Sequence, residues 1–190
     1  VARKLPVAAK KILWRISAGA LLFLVMQVAQ PAVVRAASSG AISQDYQSNT
    51  SGITAGELLS LSSASSSTVE PANSTTNVSS LIGVAADKPL LELSGKGKRS
   101  VQVVVGGTSS ALVSDINGPV KVGDKITASP ISGVGMKAIS SAEVVGIAQA
   151  DLASVQTVTR SVAGKDGKQV NIKIGQLPIA VVVEYYSNSA

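Results

Sequence analysis

The residues that could do chemistry come in a few small groups. Gly56-Glu57 and Gly123-Asp124 stand at matching points of two similar segments, each just ahead of an apolar strand. Two carboxylates related by such repetition are the raw material of a two-carboxylate hydrolase. Nothing near either acid resembles the Asp-Thr/Ser-Gly triplet of aspartic proteases. The same pattern suits a turn, in which glycine takes the unusual φ and the acid accepts nearby backbone N–H groups. We read both as turns.

The chain has no Cys and no His, which excludes disulfides, thiol nucleophiles, Cys/His zinc sites and imidazole bases. A Ser nucleophile would need Lys as its base. Ser94 with Lys96 and Ser161 with Lys165 are close in sequence, but both pairs fall at expected exposed turns. A solvated Lys keeps its proton. Gly95-Lys96-Gly97-Lys98 lacks the spacing and the Lys-Ser/Thr pair of a phosphate loop, and reads as a hairpin tip. Tyr185-Tyr186 offers a sugar-stacking or interface patch, and strand alternation sends the two rings to opposite faces. Asn49, Asn73 and Asn77 each begin a glycosylation sequon within Ser/Asn-rich sequence. No catalytic, cofactor-binding or metal-ligating residue emerges, and no cofactor is implied.

The elements that carry these residues repeat. Residues 53–59 read again at 120–126, 81–85 at 144–148, and 102–106 at 171–175, with offsets of 67, 63 and 69 residues. One supersecondary unit used twice explains a conserved order with drifting loop lengths. The units are placed at 53–116 and 117–190.

Residues 1–36 have the organisation of an export signal or membrane anchor. Arg3, Lys4, Lys10, Lys11 and Arg15 precede an uncharged stretch from Ile16 to Val34, and Val34-Arg35-Ala36 offers a cleavage site before Ala37. The uncharged stretch is also long enough to cross a bilayer as a hydrophobic helix. The whole chain has 17 basic and 11 acidic residues. Six of the basic ones and no acid lie in 1–36, so the remainder is neutral. A nucleic-acid partner is therefore not expected. A positive flank keeps the N-terminus cytoplasmic while the following chain is exported.

Residues 37–52 are polar and aperiodic and read as a flexible linker. The segment 60–80 is dominated by Ser, Thr, Asn and Ala and reads as a long loop. Short β-branched runs separated by Gly, Pro, Asp and Asn predict strands over 58–61, 81–85, 90–93, 101–105 and 111–114. The same holds for 125–128, 144–148, 155–162, 170–174 and 179–186. Lys165-Asp166-Gly167-Lys168 reads as a hairpin turn. The expected fold is all-β, with a duplicated unit forming a small pseudo-twofold barrel or sandwich after the N-terminal hydrophobic helix.

The run from Gly118 through Gly123-Asp124 to Ser129, then Gly133-Val134-Gly135-Met136-Lys137-Ala138 and Val145-Gly146-Ile147-Ala148, carries a resemblance. It is similar to β-rich Gly-Asp-turn modules of bacterial exported surface proteins and phage tail-associated proteins. It also resembles duplicated small barrels of the cradle-loop type. The likeness covers 116–186, and more loosely 53–114, where Glu57 replaces the Asp and the Met-Lys-Ala segment has no counterpart. It implies an extracytoplasmic structural or interaction module that is not an enzyme. Its partners would be envelope or surface proteins, with the membrane reached through the N-terminal segment. The alternatives from other classes are an autoprocessing or hydrolytic domain using Asp124 or a Ser, and a carbohydrate-binding module.

Overall fold

The computed structural model describes residues 40–63, 65–87, 91–92, 100–164 and 167–188. The signal or anchor at 1–36 and the turn at 94–98 lie outside them. Eleven strands follow one another: β1 Ile42–Ser48, β2 Leu58–Ser62, β3 Ser65–Pro71, β4 Leu81–Ala85, β5 Leu91–Glu92 and β6 Ser100–Ser114, then β7 Lys125–Ala128, β8 Gly135–Lys137, β9 Ala142–Ala148, β10 Thr157–Ala163 and β11 Gln169–Tyr186. They form one mixed sheet, and the described chain is all-β as expected. Only two short 3-10 turns, Val78–Ser80 and Leu152–Ser154, interrupt it among the described residues.

Three expectations are corrected. The linker placed at 37–52 contains β1, which pairs antiparallel with β6 and parallel with β3. Its polar composition hides the strand, because Ser43 and Ser48 are buried through hydrogen bonds rather than apolar contact. Ser48 Oγ donates to the Val69 carbonyl at 3.0 Å, and Ser43 Oγ to Gln102 Oε1 at 2.9 Å. The loop expected at 60–80 contains β3. The strands expected at 101–105 and 111–114 fuse into β6, because residues 107–114 stay extended by pairing with β11.

The ladders close on themselves. β1–β6–β4–β2–β3 returns to β1, using residues 100–106 of β6. β6–β11–β9–β7–β8 returns to β6, using residues 107–114. The registers correspond pair by pair. Leu59↔Gly83 and Leu59↔Pro71 in the first circuit match Ile126↔Gly146 and Ile126↔Lys137 in the second. Ser43↔Val104 matches Thr108↔Ala180, Ser48↔Val69 matches Val113↔Gly135, and Ala85↔Val103 matches Ala148↔Ile179. The sequence match of 102–106 with 171–175 is therefore replaced. Residues 171–175 pair with β10, and the counterpart of Val103-Val104 is Ile179-Ala180.

Burial follows this pairing. Leu59, Val69, Ala85 and Val103 pack with Tyr46, Leu61 and Ile82. Their partners by register, among them Ile126, Ala148 and Ile179, share a larger cluster with Leu58, Leu81, Val84 and Val104 from the first circuit. A third cluster of Val134, Ile172 and Ile174 lies with Leu112, Ile131 and Val162.

Candidate functional site

The two acids singled out by sequence close two equivalent turns. Gly56 and Gly123 have φ of 91° and 88°, a region that favours glycine. The Gly56 N–H donates to the Ala85 carbonyl at 2.9 Å, and the Gly123 N–H to the Ala148 carbonyl at 2.8 Å. The Ala85 N–H returns to the Glu57 carbonyl at 2.8 Å, and the Ala148 N–H to the Asp124 carbonyl at 2.9 Å.

The carboxylates are spent locally. Thr54 Oγ1 donates to Glu57 Oε1 at 2.9 Å. The Lys121 N–H donates to Asp124 Oδ2 at 2.8 Å, while Lys137 Nζ lies 2.9 Å from Asp124 Oδ1. The two acids are thus engaged separately, Glu57 within its own turn and Asp124 by its turn and by Lys137 of β8. Asp124→Ala is expected to cost about 1 kcal/mol, the usual worth of such a bond with a partly exposed ion pair. Urea melts measure this. Mass spectrometry of wild type and variant should show the same polypeptide, whereas a product present only in the wild type would make Asp124 a catalyst.

The other candidates scatter. Ser161 Oγ donates to Gln169 Oε1 at 3.2 Å across a hairpin, while Lys165, Ser94, Lys96 and the Gly95–Lys98 run lie outside the described residues. Tyr185 is 67% exposed, and Tyr186 is half-buried with its hydroxyl 3.5 Å from Asn188 Oδ1. Neither ring is fully buried. Asn73 Nδ2 donates to the Pro130 carbonyl and Asn77 Nδ2 to Glu70 Oε1, both at 2.9 Å, so these sequon amides hold loops. Among the described residues no three metal-ligating side chains gather.

A groove of about 840 Å³ runs beside the β10–β11 hairpin. The hairpin forms one wall. In its register, Val158↔Ile174, Arg160↔Ile172 and Val162↔Val170 lie on one face, while Thr159↔Lys173 and Ser161↔Asn171 lie on the other. The first face turns toward the groove and covers Ile131, Val134 and Leu112. Opposite stand Thr54, Glu57 and Gln176, and Gln176 Nε2 donates to the Ala55 carbonyl at 3.5 Å. Arg160 lines this groove and has no ion-pair partner among the described residues.

No protein-family model matches this chain, and no curated protein matches it. Sequence reasoning found Glu57 but missed Arg160 and Gln176. The signal for Arg160 was present in the alternation Val158-Thr159-Arg160-Ser161-Val162, which puts an arginine between two valines on one strand face.

Proposed function

We propose that this protein is an exported, non-enzymatic structural or interaction module of a bacterial cell envelope or surface. In this reading it consists of two copies of one five-strand unit, joined within β6. The matching registers support duplication, with the boundary at Gly106-Gly107 rather than at residue 116. Each closed circuit is then a small barrel, which removes strand edges from water. The export-type segment at 1–36 supports the location. One observation supports the non-enzymatic reading: Glu57 and Asp124, the acids best placed by sequence, are engaged apart from each other, Glu57 in its own turn and Asp124 by its turn and by Lys137.

In this reading its role is contact with other envelope proteins, and the groove beside β10 is a surface that suits it. Cell fractionation with protease applied to intact cells tests the location. The expected result is an envelope-associated or released protein that external protease degrades. A protein recovered with the cytoplasmic fraction and protected until lysis removes the proposal.

A further inference from the structure

β10 ends the sheet. Its ladder runs only to β11, from Thr157↔Gly175 to Ala163↔Gln169, and no other strand lies along it among the described residues. The turn tells which of its backbone groups are free. The Gly164 N–H donates to the Lys168 carbonyl at 2.7 Å, so Gly164 and Lys168 form a hydrogen-bonded pair. Bonded and non-bonded pairs alternate in an antiparallel ladder. Val162, Arg160 and Val158 therefore bond inward to β11. The N–H and C=O groups of Thr157, Thr159 and Ser161 point away from the sheet.

Such an edge invites another strand, and proteins usually guard it with proline, a bulge, a covering loop or charged side chains, of which β10 has Arg160 alone. β10 has no proline, its register with β11 shows no shift, and all but one of its residues are exposed. The adjoining face is apolar and open, with Val158 67% and Val170 46% exposed. Arg160 stands between Val158 and Val162 and forms no ion pair among the described residues. The described part of the hairpin adds Lys168 and Lys173 and no acid.

We propose that β10 accepts an extended segment of a partner protein as an added strand. Apolar side chains of that segment would lie against Val158, and a carboxylate would meet Arg160. This is strand addition, in which main-chain bonds supply affinity and alternate side chains supply selectivity. It rests on the interaction-module reading and names the chemistry of the partner. A second copy of the chain fits less well. An antiparallel β10–β10 pair centred on the strand sets one Arg160 against the other, and like charges opposed across strands repel.

Two dye-labelled nine-residue peptides alternating valine and threonine serve as probes, one with a central glutamate and one with a central lysine. They are titrated into the full exported protein. The glutamate peptide should bind saturably, at least about tenfold more tightly than the lysine peptide. Arg160→Glu should reverse that order. Thr159→Pro removes an outward N–H while leaving the β10–β11 bonds, so it should abolish binding with little change in melting temperature.

Amide exchange read by NMR covers the case in which Thr159→Pro does not fold. In the wild type, the Thr157, Thr159 and Ser161 amides should exchange quickly alone and slowly with the glutamate peptide. No saturable binding, binding indifferent to Thr159→Pro, or no slowing of these amides overturns the proposal. So does a concentration-dependent dimer that Thr159→Pro dissociates, which gives the edge to a second copy. None of these outcomes touches the cellular location, which surface proteolysis decides separately.

Discussion

Gly83→Ala and Gly146→Ala should each destabilise the fold severely. A Cβ built on Gly83 would lie 2.1 Å from the Val104 carbonyl oxygen, and one on Gly146 would lie 2.1 Å from that of Ala180. Both obstacles are backbone, so no side-chain rotation relieves them. The strands would have to separate, breaking Val84↔Val104 and Ala85↔Val103 in one circuit, or Ile147↔Ala180 and Ala148↔Ile179 in the other. We expect a loss above about 4 kcal/mol, the territory of exceptional substitutions. A domain of this size has a total stability of about 5–15 kcal/mol, so a large share of it would go.

Gly118→Ala is the control. Gly118 has φ of 96° with nothing within 4 Å of the added methyl, so it should cost only the conformational strain of about 1–2 kcal/mol. Circular dichroism melts of the three variants read the difference. A cooperative Gly83→Ala or Gly146→Ala protein melting within a few degrees of wild type would show that these strands do not approach as described.

Much of the sheet was legible from residue types alone. β4 and β7 fall at the residues the β-branched runs predicted, because their burial demands apolar side chains. β1 and β3 were not legible. Ser-Gln-Asp-Tyr-Gln-Ser and Ser-Ser-Ser-Thr carry no apolar alternation, and they are extended because β6 and β2 offer ladders to them. β8 was hidden in Gly135-Met136-Lys137 for the same reason. The matching registers could be read at Gly56/Gly123 and Gly83/Gly146, where the backbone itself needs glycine. The sequence match drifted at 102–106 because the β10–β11 hairpin adds residues ahead of the strand that closes the second circuit. The carboxylates were legible as turn residues, since Gly-acid before a strand is a backbone pattern. The groove was not, because its walls come from segments as far apart as Thr54 and Gln176.

Leu58→Lys should destabilise the protein by about 3–5 kcal/mol, whereas the reciprocal Lys125→Leu should change it by less than about 1 kcal/mol. The two positions are partners by register, Leu58↔Val84 against Lys125↔Ile147. Their surroundings differ. Leu58 is fully buried, its N–H donating to the Gly133 carbonyl at 2.8 Å and its side chain packed in the shared cluster with Ile126 and Val145. An ammonium there would lose its water with no carboxylate in that cluster to replace it, and would either stay charged at high cost or give up its proton. Lys125 keeps 26% of its side chain exposed and pairs with Glu184. Removing that pair forfeits little, because water already screens it. The asymmetry follows from position: the Leu58 side chain is covered by residues of the second circuit, whereas Lys125 reaches a partly exposed ion pair. Urea titrations of both variants measure it. Equal losses at the two positions would mean that Leu58 is not packed in the cluster with Ile126 and Val145.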